Sequence, residues 1–153
     1  MASAKSPPYA DPSALLKLYV HEPESAAMSA WRGRIRGPLT VTQHGRAEVT
    51  NGICLAAFRG QISTEALADA LASVEEDLAD GRYVQADLLW RATLKLATEL
   101  GRVHTPALGC RTLDVLHVAS ALVLEFKAFL TFDVRQQKLA RAVGLKVVVP
   151  SKG

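Results

Sequence analysis

Long apolar runs are missing from this chain: none of its 153 residues falls in an uninterrupted stretch approaching the ~20 needed to span a bilayer. The opening residues, Met1 to Pro8, hold no apolar core of the kind a secretion signal carries, so the expected location is the cytoplasm, with no membrane partner. Cysteine is scarce. Cys54 and Cys110 have neither a metal-ligand spacing nor the density of a disulfide framework, and in a reducing cytoplasm they are expected as free thiols without a catalytic role. No His/Cys set competes for zinc, and no internal repeat, low-complexity stretch or long linker interrupts the chain. A strong excess of one charge is also lacking: the formal net charge of +3 permits an anionic partner without requiring one.

What is present suits one folded domain. A hydrophobic share of 49% with 22% charged residues is that of a soluble globular protein, long enough to bury a substantial core, so one site is sought. The charges are unevenly placed. Acids crowd Glu75 to Asp80; bases crowd Arg32, Arg34 and Arg36, and again Lys127, Arg135, Lys138, Arg141 and Lys146. The C-terminal third is a candidate nucleic-acid face, although each cluster reads at least as well as a solvated helix face.

Short β-type runs alternate with helical patterns, which means α/β. A short strand at Tyr9 and Ala10 leads into Asp11-Pro12-Ser13, where Asp suits an N-cap and Pro the first turn, and a helix from Ser13 to Tyr19 is expected. A second helix runs from Pro23 through Trp31, then a strand over Leu39 to Thr42, then a helix from about Gly45 to Phe58 with Gly60 as its stop. Ser63 caps an amphipathic helix with the stripe Leu67, Ala70, Leu71, Val74 and Leu78, ended by Gly81. Tyr83 and Val84 start a short strand. Leu88 to Leu100 form a helix with Leu89, Ala92, Leu96 and Leu100 inward, and Pro106 and Gly109 mark a turn. Thr112 to Phe126 is apolar nearly all round, the pattern of a buried central helix. A strand over Ala128 to Thr131, a helix over Val134 to Val143 and a strand over Leu145 to Val149 complete a mostly parallel sheet with helices on both faces.

In such sheets, ligands bind beyond the carboxyl ends of the strands. Asp11 follows the first strand, Asp133 follows the strand ending at Thr131, Asp114 lies in the first turn of the buried helix, and Glu48 falls early in the helix after the Leu39 to Thr42 strand. Each has a bland explanation, because helix N-termini favour acids, and a helical glutamate is usually a solvated surface group. Asp114 is harder to dismiss, since a carboxylate on so apolar a helix needs a compensating partner, and Arg111 or His117 stands one turn away. Together the four suggest a divalent-cation site, for which carboxylate oxygens favour Mg²⁺ or Mn²⁺.

These segments also carry a resemblance. Asp11-Pro-Ser-Ala-Leu-Leu-Lys-Leu-Tyr19, Glu48-Val-Thr-Asn51, Arg111-Thr-Leu-Asp-Val-Leu-His-Val-Ala-Ser-Ala-Leu122 and Leu130-Thr-Phe-Asp-Val-Arg-Gln-Gln-Lys-Leu-Ala140 occur in the order and spacing of the PIN-domain ribonucleases. The chain resembles that family from Tyr9 to Val149, especially the VapC-type toxins of bacterial toxin–antitoxin pairs. One departure is Ser6-Pro7-Pro8 where the family has an apolar run; proline cannot donate to a ladder, which leaves the length of the first strand open.

The resemblance implies a PIN-like three-layer α/β/α sandwich over residues 1–153, with 1–7 a loose N-terminal tail, acting as a metal-dependent endoribonuclease. It implies Asp11, Glu48, Asp114 and Asp133 as catalytic and metal-binding acids, Ser13 and Thr131 as supporting hydroxyls, and Mg²⁺ or Mn²⁺ as cofactor. Arg111, Arg135 and Lys138 are the candidate RNA-gripping bases, and His117 reads as a packed or paired helix residue. The implied partners are an RNA substrate, a structured loop of transfer or ribosomal RNA, a cognate antitoxin and a second copy in a homodimer. Two other classes stay open: a PIN-fold module that binds RNA or protein without catalysis, and a phospho-acceptor receiver-like domain, against which Pro12 stands where receivers carry paired acids.

Overall fold

The computed structural model describes residues 6–152. Five residues of the tail expected over 1–7 lie outside the described residues, while Ser6 and Pro7 are irregular. Five short strands alternate with seven helices among the described residues: β1 (Tyr9–Ala10), α1 (Pro12–Leu16), α2 (Ser25–Arg34), β2 (Leu39–Thr42), α3 (Gln43–Phe58), α4 (Thr64–Ala79), β3 (Tyr83–Ala86), α5 (Trp90–Leu108), α6 (Thr112–Val123), β4 (Ala128–Leu130), α7 (Val134–Ala142) and β5 (Lys146–Val148).

All the described strand pairs are parallel. β1, β4 and β5 form one ribbon in the order β1-β4-β5, and β2 and β3 form a second. β2 lies against β1, but no ladder joins the two ribbons among the described residues. Two-residue β1, entered from Pro7 and Pro8, has few backbone N–H groups to offer a neighbour on that side. The strand alternation shows the layering. Tyr9 and Phe129 point into one core with Val118, Leu139 and Leu145, while their neighbours Ala10 and Leu130 point into the other with Met28, Leu39, Ile53 and Val74. Successive side chains on a strand face opposite sides, so both faces of the sheet are covered and the molecule is a three-layer α/β/α sandwich, as expected.

Local chemistry sets the helix starts. Asp11, Thr42, Ser63 and Asp133 each occupy an N-cap and accept a hydrogen bond from a first-turn N–H. α6 is buried from Val115 to Ala121, the expected central helix, though shorter than expected and with Leu113 exposed.

Two expectations need correction. α1 stops at Leu16 rather than reaching Tyr19, because Lys17, Leu18 and Tyr19 each donate to the carbonyl three residues back, and the chain tightens out of the α-helix. α5 begins at Trp90 and continues through Pro106 to the left-handed Gly109, whose φ is 68°. Its buried side is Thr93, Leu96, Ala97 and Leu100, so Leu89, 73% exposed just before the helix, and Ala92 face outward. Thr93 makes that phase tolerable by returning its hydroxyl to the Leu89 carbonyl at 2.9 Å.

Three of the clustered charges away from the sheet's carboxyl end have structural partners. Arg32 is buried and donates to the carbonyls of Ile35, Gly37 and Arg82, Glu75 pairs with Arg46, and Asp77 accepts from Tyr19. Cys54 and Cys110 are free thiols, one exposed and one buried.

Gly52 lets α3 approach α1: a Cβ there would stand 2.9 Å from Cδ2 of Leu16. Gly52→Val is expected to lower stability by about 1–3 kcal/mol through overpacking, read as a lower urea midpoint at unchanged slope.

Candidate active site

Parallel strands deliver Asp11 and Asp133 to the same end of the sheet, since β1 and β4 are paired neighbours and each acid follows its strand. The Asp11 N–H also donates to the Leu130 carbonyl at 2.9 Å, so the β1–α1 junction is pinned to β4. As caps, both acids satisfy their own helices: Asp11 Oδ2 accepts from the Ser13 N–H at 3.0 Å and from the Ser13 hydroxyl, and Asp133 Oδ1 accepts from the Gln136 N–H at 2.8 Å. The bland reading and the sharp one therefore coincide. A carboxylate has roughly four lone-pair sites, and a cap uses one or two of them.

The side chain that ties Asp11 to the start of α6 is Gln136, fully buried on α7. Its amide nitrogen donates to Asp11 Oδ1 at 2.8 Å and to the Asp114 carbonyl at 3.2 Å, and its amide oxygen accepts from the Thr131 hydroxyl at 2.6 Å. Thr131 in turn accepts from the Asp133 N–H at 3.1 Å. Ser13 thus contacts a carboxylate directly, whereas Thr131 works through Gln136. Sequence reading passed over Gln136. The available signal was a polar residue on the buried α7 stripe with Leu139 and Ala140, three residues after a capping acid.

Asp114 shares the electrostatic environment of these two acids. Burial, and then the charge of Asp11, hold its carboxyl above the ordinary value; Arg111 opposes this, and Asp133 adds to it. Arg111 Nε stands 3.5 Å from Asp114 Oδ2 on a side chain that is largely solvent-exposed. Of the two compensating partners considered for Asp114, only Arg111 takes that role. His117 turns elsewhere, with Nε2 2.6 Å from Glu48 Oε2 and Nδ1 2.7 Å from the Tyr9 hydroxyl. Glu48 therefore meets α6 one turn beyond Asp114 and is held by a contact separate from the Gln136 cluster.

Each acid is engaged by protein donors. Among the described residues, no three acids, histidines or cysteines close to metal-coordinating distance. Of the candidate RNA-gripping bases, Arg111, Arg135 and Lys138 are all exposed, and Arg135 donates to the Gly109 carbonyl at 3.4 Å. The Cys110 thiol faces the Arg135 carbonyl at 3.7 Å and is pushed up in pKa, first by burial, so it is a poor nucleophile.

The family model of the PIN domain matches residues 9–142. This chain is a PIN-domain protein of the VapC type. It is 33% identical over 145 residues to Ribonuclease VapC46 of Mycobacterium tuberculosis, an alignment that covers 94% of this chain and 97% of that protein. The PIN domain takes in all four acids, Gln136 and His117, and the phospho-acceptor alternative is left without support.

Gln136→Leu removes the amide while keeping most of the volume, and leaves Thr131 and Asp11 each short of a buried partner. It is expected to cost about 1–3 kcal/mol of stability, measured by denaturant unfolding. A cost under a few tenths would mean that water replaces the amide.

Proposed function

We propose that this PIN-domain protein is the ribonuclease toxin of a type II toxin–antitoxin pair, hydrolysing RNA phosphodiester bonds with Mg²⁺ or Mn²⁺ held by Asp11, Asp114 and Asp133 together with Glu48. The observation that carries the reading is that Gln136 bonds the carboxylates of Asp11 and Asp133 and the backbone of Asp114, whose own carboxyl feels the charge of the other two at the carboxyl end of β1 and β4.

The donor set fits a hard divalent cation. Asp114 is held above its ordinary pKa by burial and by its acidic neighbours, so added positive charge is favoured there, and the groups on offer are oxygens. When bound, such an ion would lower the pKa of a water and offset charge on the scissile phosphate. The chain's own residues supply the rest. Ser13 and Gln136 hold Asp11 in one orientation, the α7 N-terminus holds Asp133, and exposed Arg111, Arg135 and Lys138 grip flanking phosphates that the acids alone would repel. The expected products are 5′-phosphate and 3′-hydroxyl ends.

The same reading extends to the setting: a cytoplasmic homodimer, with residues 1–153 acting as one nuclease domain. Its substrate is a loop of transfer or ribosomal RNA, where unstacked bases are accessible. Its antitoxin places a basic residue against the acids.

Purified protein, free of antitoxin, is expected to cut total cellular RNA in Mg²⁺ or Mn²⁺ and not in EDTA, and Asp114→Asn is expected to abolish cutting. Cleavage in EDTA, or 2′,3′-cyclic phosphate ends, would overturn the metal mechanism. Mn²⁺ is further expected to raise the melting temperature of the wild type and leave that of Asp114→Asn nearly unchanged. For the antitoxin, a cognate peptide whose site-facing arginine is changed to alanine is expected to inhibit less, because an arginine can pair bidentately with a carboxylate; undiminished inhibition would indicate steric blocking.

A further inference from the structure

Glu48 stands apart from the Gln136 cluster, and its partner comes from across the fold. His117, 1% exposed on the central helix α6, places Nε2 2.6 Å from Glu48 Oε2, and its Nδ1 lies 2.7 Å from the hydroxyl of Tyr9, itself 2% exposed. Burial, and then the nearby charges of Asp11 and Glu48, hold the Tyr9 phenol well above its ordinary pKa, so it keeps its hydrogen. Its hydroxyl engages Nδ1 of the ring, and a hydrogen on Nε2 is the one that can be donated to the Glu48 carboxylate.

The ring has little freedom to turn away. His44 stacks on it with centroids 4.4 Å apart and planes 21° from parallel, and the Tyr9 ring lies 5.9 Å away on a tilted plane. Trp90 meets the outer ring of that stack edge-on at 5.1 Å. An imidazole held in position by a buried phenol on one nitrogen and facing an acid with the other is the kind of outer contact by which proteins orient carboxylate and histidine groups around metals.

We propose that His117 is a positioning residue for Glu48: Tyr9 holds its Nδ1 side, and its Nε2–H fixes the Glu48 carboxylate in the orientation that presents it to the divalent cation. The proposal rests on the nuclease reading above and adds to it the residues that prepare the fourth acid. Simple burial of a paired histidine would stabilise the fold without affecting the ion.

The test is Mn²⁺ binding by calorimetry without RNA, alongside steady-state cleavage, for wild type, His117→Phe, Tyr9→Phe, Glu48→Gln and the double variant Glu48→Gln with His117→Phe. The phenyl ring keeps the stack and removes both nitrogens. His117→Phe is expected to fold and to weaken Mn²⁺ binding about 10–100-fold, lowering kcat with KM for RNA nearly unchanged. Tyr9→Phe is expected to weaken binding less. The double variant is expected to be no worse than Glu48→Gln alone, because His117 acts through Glu48.

Mn²⁺ affinity and kcat of His117→Phe within twofold of wild type, or losses that simply add in the double variant, would overturn the positioning role while leaving the nuclease reading intact. Wild type that binds no Mn²⁺ would overturn both. Should His117→Phe fail to fold, nitrogen-15 NMR of His117 in the wild type decides. A hydrogen on Nε2 is expected, and a tautomer with Nε2 bare would overturn the proposal.

Discussion

Asp11 is 4% exposed, and an ionised carboxylate at that depth persists only where donors replace the water it has lost. The N–H and hydroxyl of Ser13 are local and come with the N-cap. The third donor, the Gln136 amide, arrives from 125 residues along the chain. That bond ties the start of the fold to its last helix. Because the same amide also reaches the Asp114 carbonyl and is itself held by Thr131, α1, α6, β4 and α7 share one fixed point. Moving any of them strands a buried polar group, at a cost of about 1–3 kcal/mol. The sheet itself contributes less at this place, since β1 has two residues and a single ladder partner among the described strands.

The site is thereby built from ordinary folding devices. Capping acids stabilise α1 and α7, and the parallel pairing of β1 with β4 delivers both caps to the same end of the sheet. Structural and functional demands do not compete for the same lone pairs. What they share is a charge problem: Asp114 sits half-buried between two other acids, and its one facing cation is an arginine whose side chain is mostly in water. Such a pair is screened and worth little. The crowding of negative charge is thus a standing cost that added positive charge would relieve.

Much of this was legible in the sequence, and the reason is that the informative signals were local. Period-2 and period-3.6 patterns located the strands and most of the helices, Asp11, Ser63 and Asp133 announced their caps, and the order of elements dictated a covered parallel sheet. The failures had physical causes too. α1 and α5 differ from expectation because the turn after Leu16 and the phase set by Thr93 depend on packing. Gln136 was missed, and His117 was read only as packed or paired, because one deciding partner of each, Asp11 and Tyr9, lies more than 100 residues away. Periodicity states which face of a helix is buried and is silent on what meets it. A glutamine among apolar residues declares only that some partner exists.

Glu48 shows where the two kinds of information join. Its position along α3 is fixed by the Thr42 cap, a local feature, but its distance from Asp11 is set by how closely α3 lies on α1. Gly52 lies at that contact, where a Cβ would stand 2.9 Å from Leu16 Cδ2 and the leucine would have to shift. Three of the acids are therefore tied to one residue, Asp11 and Asp133 by their carboxylates and Asp114 by its backbone carbonyl, and the fourth is placed by a helix contact together with one histidine. Hydrogen bonds fix direction as well as distance, whereas packing fixes distance alone and leaves a long side chain its rotamers. A glutamate placed by packing needs a separate directional partner before its carboxylate can occupy one orientation, and among the described residues His117 is the side chain that supplies it.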